Sequence, residues 1–197
     1  MKEELKLPET MEEFEEALKR ERMRERNRRD YNVILRSTIA TLLSVAAVAI
    51  LVATLLLPVL RIYGTSMSPT LKDGDIVLSL KNAQFERQDI IAFYYNNNVL
   101  VKRVIARPGE WVDLDSEGNV TVNGTPLRET YLVDKAMGDT DIKYPYQVPD
   151  GRYFVMGDHR SVSIDSRNTA VGCVSEEQVV GKLTFRIWPF SGFGKIE

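Results

Sequence analysis

The hydrophobic positions along this chain follow two different patterns, and the change occurs near residue 60. Residues 37–60 form one apolar stretch of 24 residues without a charged side chain. As an α-helix this stretch would be roughly 36 Å long, which exceeds the roughly 30 Å hydrocarbon core of a bilayer. It therefore predicts a transmembrane helix that crosses with some tilt. A cleavable signal peptide is the alternative interpretation, although the apolar region of such peptides is usually shorter.

Beyond residue 60, the apolar residues occur in short runs rich in β-branched and aromatic side chains, which is typical of β-strands. Turn residues separate the runs, and Asn123-Gly124 predicts a tight hairpin turn. The runs lie at residues 75–80, 89–95, 99–105, 111–114, 120–122, 153–156 and 179–188. We therefore expect a mostly β domain after the helix, with a small β insert at about residues 111–149 and an irregular tail from Pro189.

The charges on the two sides of the apolar stretch are strongly asymmetric. From Lys19 to Arg36 there are eight basic and three acidic residues, whereas only Arg61 and Lys72 follow the stretch within twenty residues. The positive-inside rule then places the N-terminus in the cytoplasm. We expect a single-pass protein of the cell membrane in contact with the lipid bilayer. Its parts are a charged helical cytoplasmic tail (1–36), a transmembrane helix (37–60) and an extracytoplasmic domain (61–197).

The scarcity of cysteine and histidine narrows the chemistry that the domain can perform. The single cysteine, Cys173, excludes an internal disulfide framework. The single histidine, His159, limits histidine-based catalysis to that residue, and the sequence contains neither a CxxC nor an HExxH motif. We therefore predict no metal, and we also expect no cofactor and no nucleic-acid partner.

A candidate nucleophile lies immediately after the apolar stretch, in residues 63–71. This segment places Ser66 between Gly64 and Pro69, close to the predicted membrane surface. A serine hydroxyl is a weak nucleophile until a base removes its proton, so the domain must also supply that base. The alternative is that the segment only forms a turn between the span and the domain.

Lys102 is the candidate base, because it lies in an otherwise aliphatic predicted strand. Alternate residues of a strand share a face, so Lys102 points to the same side as Leu100 and Val104. Burial there would lower the pKa of the amine, and a neutral amine can act as a general base near neutral pH. A surface lysine whose stem packs along an edge strand is the alternative.

A third polar stretch, residues 157–167, lies between two predicted strands and contains Asp158, Ser163, Asp165 and Arg167. Such a segment can be a loop of Asx and serine turns. It can also be a support for the candidate base, in which its side chains orient the lysine amine.

Together these three stretches resemble the boxes of the bacterial type I signal peptidases, over roughly residue 38 to the end of the chain. Residues 66–71 resemble the serine box of that family, and residues 74–77 resemble the segment after it. Residues 102–105, followed by Pro108-Gly109, resemble the lysine box. Residues 157–167 resemble its Gly-Asp-Asn-Arg…Ser-x-Asp-Ser-Arg box.

The resemblance implies a β-rich Ser/Lys endopeptidase that removes signal peptides from exported preproteins at the membrane surface. It implies Ser66 as nucleophile, Lys102 as general base, and Ser163 as a hydrogen-bond partner of the lysine amine. It also implies a charged support network near the site. In the substrate, it implies small residues, such as alanine, at the first and third positions before the cleaved bond. The implied network comprises Arg103, Asp158, Asp165 and Arg167.

The sequence departs from the family pattern at two positions. Some members carry a serine two residues before the nucleophile whose hydroxyl helps to form the oxyanion hole, and here that residue is Gly64. The backbone N–H of Ser66 remains as one donor, and the second donor is open. His159 occupies the usual asparagine position, so a Ser66–His159–Asp165 triad is an alternative to the lysine base.

Other functions compatible with parts of the sequence are kept as alternatives. A sortase-like transpeptidase would use Cys173 and His159, but the flanking valines of Cys173 favour a buried core position. A membrane-anchored β domain that only binds exported chains would not need Ser66. A self-cleaving repressor would share the Ser/Lys pair, but the predicted span argues against it.

Overall fold

A computed structural model describes residues 11–81 and 85–196, so the first ten residues of the predicted tail lie outside the described residues. The charged and apolar N-terminal residues form one continuous helix, α1 (Met11–Leu56). It ends four residues before the predicted end of the span, because the ring of Pro58 disfavours helical backbone at the preceding residue. Of the described helices, α1 is the one long and apolar enough to cross a membrane, and its most apolar window has a mean hydropathy of 2.1.

The chain divides into two compact units at Ala53 and Thr54, and the second unit is built from β-strands. The strands are β1 (Val59–Arg61), β2 (Ile76–Leu80), β3 (Ile90–Tyr95), β4 (Asn98–Ala106), β5 (Trp111–Leu114), β6 (Val120–Val122), β7 (Thr125–Pro126), β8 (Tyr146–Gln147), β9 (Arg152–Met156), β10 (Val174–Ser175), β11 (Val179–Trp188) and β12 (Gly194–Lys195). The predicted fold class, a mostly β domain after one apolar N-terminal helix, is confirmed.

The larger sheet has the strand order β1-β2-β11-β3-β4-β9-β10, with β12 paired to β11, and all its neighbours are antiparallel. The β3–β4 hairpin turns at Asn96 and Asn97, which have φ values of 44° and 65°. Two consecutive residues with positive φ are the requirement of the tight hairpin turn whose twist matches the flanking strands, and asparagine tolerates it. This hairpin fixes Lys102 of β4 opposite Ile91 of β3.

The smaller sheet has the order β7-β6-β5-β8 and lies within the range predicted for the β insert. Its inward residues pack against side chains from β4 and β9, so the two sheets share one core. That core comprises Ile105, Ala106, Val112, Leu114, Val120, Val122, Val148, Phe154, Met156 and Cys173. The shared core attaches the insert firmly to the strand that carries Lys102.

The C-terminal residues are more regular than the sequence indicated. The strand predicted at residues 179–188 is found as β11, but it is not the last one. A short 3₁₀ helix (Phe190–Gly192) follows Pro189, and β12 then pairs back onto β11 at Phe185 and Arg186. A two-residue strand with glycine is too short for a hydrophobic pattern to indicate.

The two isoleucines Ile91 and Ile164 provide a matched test of this fold. Ile91 is fully buried and packs beside Val104 and Val155, whereas Ile164 is 61% exposed. We expect Ile91→Ala to lower the free energy of unfolding by about 2–5 kcal/mol and Ile164→Ala by less than about 0.5 kcal/mol. Urea unfolding of the full chain in detergent, followed by tryptophan fluorescence, measures both. Equal losses would contradict the assigned β3 packing.

Candidate active site

Ser66 lies in a loop whose two ends are joined by backbone hydrogen bonds. Ile62 N donates to Asp75 O at 2.8 Å, and Gly74 N donates to Ile62 O at 2.9 Å. Within the loop, the side chains of Met67 and Leu71 are 2% and 0% exposed and belong to the hydrophobic core. The loop is therefore fixed at its base and anchored just after Ser66, which leaves the serine half-buried at the surface.

Lys102 faces this loop from β4 and is itself only 3% exposed. Its Nζ lies 2.8 Å from the Oγ of Ser66, within hydrogen-bonding distance. The sequence predicted that the two residues act together, and the fold brings them into direct contact across 36 positions of chain. A hydroxyl and an amine at this distance can exchange a proton without intervening water.

The surroundings of the Lys102 amine change its acidity. Burial lowers its pKa from the usual value of 10.5 to about 8. The carboxylates of Asp165 and Asp158 oppose this lowering, while the guanidinium of Arg167 adds to it. At pH 7 about a tenth of the amine is neutral, compared with roughly one part in three thousand at the usual pKa. The buried lysine can therefore accept a proton near neutral pH.

Asp165 is the centre of the third polar stretch and is fully buried. Its carboxylate accepts hydrogen bonds from Gly157 N at 2.8 Å and from Arg167 Nε and Nη2, both at 2.8 Å. It also accepts one from Ser163 Oγ at 2.7 Å. The resemblance implied that this hydroxyl contacts the lysine amine, but within the described part of the chain its partner is Asp165, since a carboxylate is the stronger acceptor.

Asp158 and Arg103 form a second buried ion pair beside the first. Arg103 Nε and Nη2 lie 2.9 Å and 2.7 Å from the two carboxylate oxygens of Asp158, which is the paired, two-bond geometry that arginine favours. The hydroxyl of Thr70, in the serine loop, donates to the same carboxylate at 2.5 Å. This pair therefore ties the serine loop to the strand that carries Lys102.

Three further residues that were not among the predicted site residues belong to this charged cluster. Arg160 forms a buried ion pair with Glu129, and Tyr131 stacks its ring on Arg103 with 3.8 Å from Cζ to the ring centroid. Arg160 lies inside the third polar stretch, so its position was a usable signal. Glu129 and Tyr131 lie in a segment without periodicity, and nothing local marks them.

Gly157 is required by the close approach of the third stretch to the nucleophile. A Cβ at this position would lie 2.2 Å from Ser163 Oγ and 2.5 Å from Ser66 O. Two residues later, His159 N donates to Ser66 O at 3.0 Å. The backbone of the third stretch thus holds the backbone of Ser66 directly.

The position of Gly64 constrains the oxyanion site. Its φ is +84°, a conformation that favours glycine, and its N–H donates to Asp73 Oδ1 at 2.8 Å. Because this N–H is already engaged, Gly64 offers neither a side chain nor a free backbone donor. The second oxyanion donor is therefore not Gly64.

The alternatives that use His159 or Cys173 find no support in the geometry. The Nδ1 of His159 is buried without a hydrogen-bond partner among the described residues, and the carboxylate of Asp165 is occupied by the donors named above. Cys173 is 6% exposed in the hydrophobic core, and burial raises the pKa of its thiol. Neither the histidine triad nor a cysteine nucleophile is formed.

A small cavity of about 100 Å³ lies beside Ser66. One side is formed by residues 60–64, 66 and 67, and the other by residues 99–102 of β4. The β4–β9 pairing begins only at Arg103, so in the described structure residues 98–102 have a neighbouring strand only on the β3 side. An extended peptide can therefore reach free backbone groups of β4 next to the cavity. Within residues 11–81 and 85–196, no group of three or more His, Cys, Asp or Glu side chains is placed to hold a metal ion.

Comparison with known proteins shows a family that this chain resembles over most of its length. Residues 35–188 match the family model described as signal peptidase, peptidase S26. Signal peptidase IB of Staphylococcus aureus strain Mu50 is 40% identical over 153 residues, which cover 67% of this chain and 78% of the relative. Signal peptidase I of Bacillus amyloliquefaciens is 36% identical over 157 residues, which cover 73% of this chain and 80% of the relative. A crystal structure of a signal peptidase I from Enterococcus faecalis V583 shares 33% identity and aligns with a TM-score of 0.43, covering 52% of this chain and 98% of that chain.

The buried amine makes a prediction about stability. At pH 7 the folded chain must either bury the charged Lys102 ammonium or remove its proton, and both cost free energy. Lys102→Met removes this cost, so the variant should be more stable than wild type by on the order of 3 kcal/mol at pH 7. Between about pH 8 and 10.5 the unfolded chain still binds the proton and the folded chain does not. The wild type therefore gains stability in this window, and the difference should shrink.

Chemical unfolding at pH 7, 8.5 and 10 measures this difference. The control is Lys72→Met, which removes an exposed lysine from the same loop and should change stability little at any of these pH values. A stability gain for Lys102→Met that does not depend on pH would contradict a buried amine with a lowered pKa.

Proposed function

This chain belongs to the signal peptidases of peptidase family S26, and we propose that it cleaves peptide bonds with Ser66 as the nucleophile and Lys102 as the general base. Membership of the family makes it a protease that removes signal peptides. The observation that carries the proposal is the 2.8 Å distance from Lys102 Nζ to Ser66 Oγ, together with the burial of the amine. The pair supplies both requirements of serine catalysis, a nucleophile and a base of suitable pKa.

In the proposed first step, the neutral Lys102 amine removes the proton of the Ser66 hydroxyl as Oγ attacks the scissile carbonyl carbon. The peptide nitrogen then leaves with the proton that the lysine ammonium returns, and an ester links Ser66 to the signal peptide. In the second step, the same amine takes a proton from water, and the hydroxide oxygen attacks the ester. Ser66 regains its proton, and the signal peptide leaves with a free carboxylate.

The negative charge that develops on the carbonyl oxygen needs hydrogen-bond donors. We assign one of them to the backbone N–H of Ser66. Because Gly64 has no hydroxyl and its N–H is bound to Asp73, the second donor is a water molecule or another backbone N–H. A missing donor typically lowers the rate by about a hundredfold or more, so a second donor is expected in the substrate complex.

The cavity beside Ser66 supports a preference for small side chains before the cut. Its volume of about 100 Å³ suits a small side chain, and the buried apolar residues Ile62 and Met67 are among those that line it. The free backbone of residues 98–102 can pair with an extended substrate, so the signal peptide would add as a strand beside β4. Backbone pairing explains how one enzyme accepts many sequences that share only small residues at fixed positions.

We further propose that α1 crosses the cell membrane once, with the N-terminus in the cytoplasm and residues 61–197 outside. Three hydroxyls in its apolar part, Thr38, Thr41 and Ser44, each donate to the carbonyl four residues earlier at 2.9 Å. Such bonds satisfy polar side chains where no water is available. Ser66 follows the span within a few residues, so the nucleophile is tethered near the membrane surface, where a signal peptide in the same bilayer presents its cleavage site.

The buried charges near the base form the proposed support of the site. Asp158 and Arg103, and Asp165 and Arg167, are the residues to which we assign this role, and Ser163 belongs to the support through its hydrogen bond to Asp165. We propose the division into a tail (1–36), a span (37–60) whose helix ends at Leu56, a catalytic domain (61–197) and its β insert (about 111–149).

Cleavage of a synthetic preprotein by the full chain in detergent tests the proposed pair. Ser66→Ala and Lys102→Ala should lose activity by on the order of ten thousandfold or more, as when either member of a nucleophile–base pair is removed. Lys102→Arg should be equally inactive while still folded, because a guanidinium keeps its proton. His159→Ala serves as the control and should retain activity. An active Lys102→Ala together with an inactive His159→Ala would overturn the proposal.

The pH dependence of cleavage gives an independent test. Lys102 must be neutral to accept the serine proton, so kcat/KM should rise with pH and reach half its maximum near pH 8, where burial has placed the pKa of the amine. Initial rates between pH 5.5 and 9.5 at low substrate concentration measure this profile. A half-maximum below pH 7 that disappears in His159→Ala would assign the base to the histidine instead.

A further inference from the structure

The segment that follows β7, residues 129–141, contains neither helix nor strand, yet it touches all three buried arginines of the site. The ring of Tyr131 covers Arg103, the carboxylate of Glu129 binds Arg160, and Met137 O accepts a hydrogen bond from Arg167 Nη1 at 2.6 Å. Because it contacts all three arginines, this loop also supports the charged cluster, besides connecting β7 to β8. We call residues 129–141 the covering segment.

Tyr131 contacts the residue that follows the proposed base in β4. Its ring centroid lies 3.8 Å from Cζ of Arg103, which is the distance of direct stacking. Arg103 immediately follows Lys102 in β4 and is also the first β4 residue paired with β9, opposite Met156. Lys102 is thus the last β4 residue without that second neighbour, and its position depends on how firmly Arg103 is held.

Glu129 connects Tyr131 to the second arginine. It accepts a hydrogen bond from the Tyr131 hydroxyl at 3.0 Å and binds both terminal nitrogens of Arg160. Burial and the charge of Glu129 raise the pKa of Tyr131 well above its ordinary value, so the hydroxyl keeps its proton and remains a donor. Glu129 therefore fixes the ring that covers Arg103 and the guanidinium of Arg160 at the same time.

Arg160 carries this connection to the acid beside the lysine. Its Nε donates to Gly157 O at 3.1 Å, and the N–H of the same Gly157 donates to Asp165 Oδ2 at 2.8 Å. Asp165 is in turn one of the charges that act on the Lys102 amine. Hydrogen bonds through Arg160 and Gly157 thus connect the covering segment to Asp165. The stacking of Tyr131 on Arg103 connects the same segment to β4, the strand that carries Lys102.

We propose that Tyr131 and Glu129 are positioning residues of the Lys102 base, which they hold in place through Arg103 on one side and through Arg160 and Gly157 on the other. The inference rests on the proposed Ser66–Lys102 mechanism. Neither residue touches Ser66 or the small cavity beside it, so both should affect the chemical step and not the binding of the peptide. Displacement of a catalytic group by about 1 Å can cost on the order of a hundredfold in rate.

A matched pair of tyrosines separates positioning from general packing. Tyr153 in β9 is also largely buried, donates its hydroxyl to a glutamate (Glu176 Oε1, 3.0 Å) and packs its ring on a neighbour, Phe85. It contacts no arginine of the site among the described residues. Tyr131→Leu and Tyr153→Leu therefore remove the same groups, and only the first removes the cover of Arg103.

The experiment measures kcat and KM for a synthetic preprotein with the full chain in detergent, together with the thermal unfolding midpoint of each variant. We expect Tyr131→Leu to lower kcat by about tenfold or more with KM changed by less than about twofold. Tyr131→Phe, which keeps the ring on Arg103, should lose less than about threefold. Tyr153→Leu should retain the kcat of wild type even if its unfolding midpoint falls equally.

A second pair tests the role of the charge. The three arginines are balanced by three buried carboxylates, Asp158, Asp165 and Glu129. Glu129→Gln leaves the guanidinium of Arg160 without its carboxylate. The excess positive charge disfavours the ammonium form of Lys102 and lowers its pKa. The other charged groups around the amine, which the variant leaves in place, are Asp158, Asp165, Arg103 and Arg167. The acid limb of the kcat/KM profile should therefore move to lower pH and kcat should fall. The control Glu176→Gln should leave both unchanged.

Several outcomes would overturn the proposal. One is full kcat in Tyr131→Leu or Glu129→Gln, and another is a loss of kcat in Tyr153→Leu as large as that in Tyr131→Leu. If Tyr131→Leu does not fold, Glu129→Gln decides, since its acid limb and kcat do not depend on recovering the leucine variant. Wild type and Lys102→Ala are measured alongside. An active Lys102→Ala would refute the proposed mechanism itself. An inactive Lys102→Ala together with a fully active Tyr131→Leu would refute only the role of the covering segment.

Discussion

The burial of one amine, that of Lys102 against the hydroxyl of Ser66, is the constraint on which the rest of this domain depends. The interior lowers the pKa of the amine to about 8, and the cause is mainly desolvation. The same desolvation destabilises the folded chain by on the order of 3 kcal/mol at neutral pH. The aliphatic packing of β3 and β4 must offset this cost, since it both excludes water from the amine and holds the strand that carries it.

The charged residues around the lysine explain why desolvation, and not a neighbouring charge, sets its pKa. Three arginines and three carboxylates are buried within this part of the domain, and each arginine is paired with one acid. Opposite contributions from Asp165, Asp158 and Arg167 partly cancel at the amine. A buried pair that loses one partner leaves a charge that typically costs about 3–5 kcal/mol, so the pairs also make the geometry around the site difficult to change.

The sequence was sufficient to predict the elements that carry the proposed catalytic residues, because their signals are local. The run at residues 99–105 was found as β4 (Asn98–Ala106), and the aliphatic neighbours of Lys102 correctly indicated that it is buried. The contacts of Glu129 and Tyr131 were not predictable, because they join residues 28 to 31 positions apart through side chains in an irregular segment. The partner of Ser163 was also missed, since the choice between an amine and a carboxylate depends on the position of Asp165 and not on spacing.

The contacts that form the site join residues that lie far apart along the chain. Lys102 meets Ser66 across 36 positions, and Arg103 meets Asp158 across 55. Contacts between residues so far apart along the chain must offset the entropy of closing a long loop, so they depend on the paired strands that hold the residues together. A partly folded domain would expose the lysine to water, and its pKa would return towards 10.5, where almost no neutral amine exists at pH 7. The neutral fraction of the amine that the proposed mechanism requires therefore depends on the folded domain, and an unfolded chain would largely lack it.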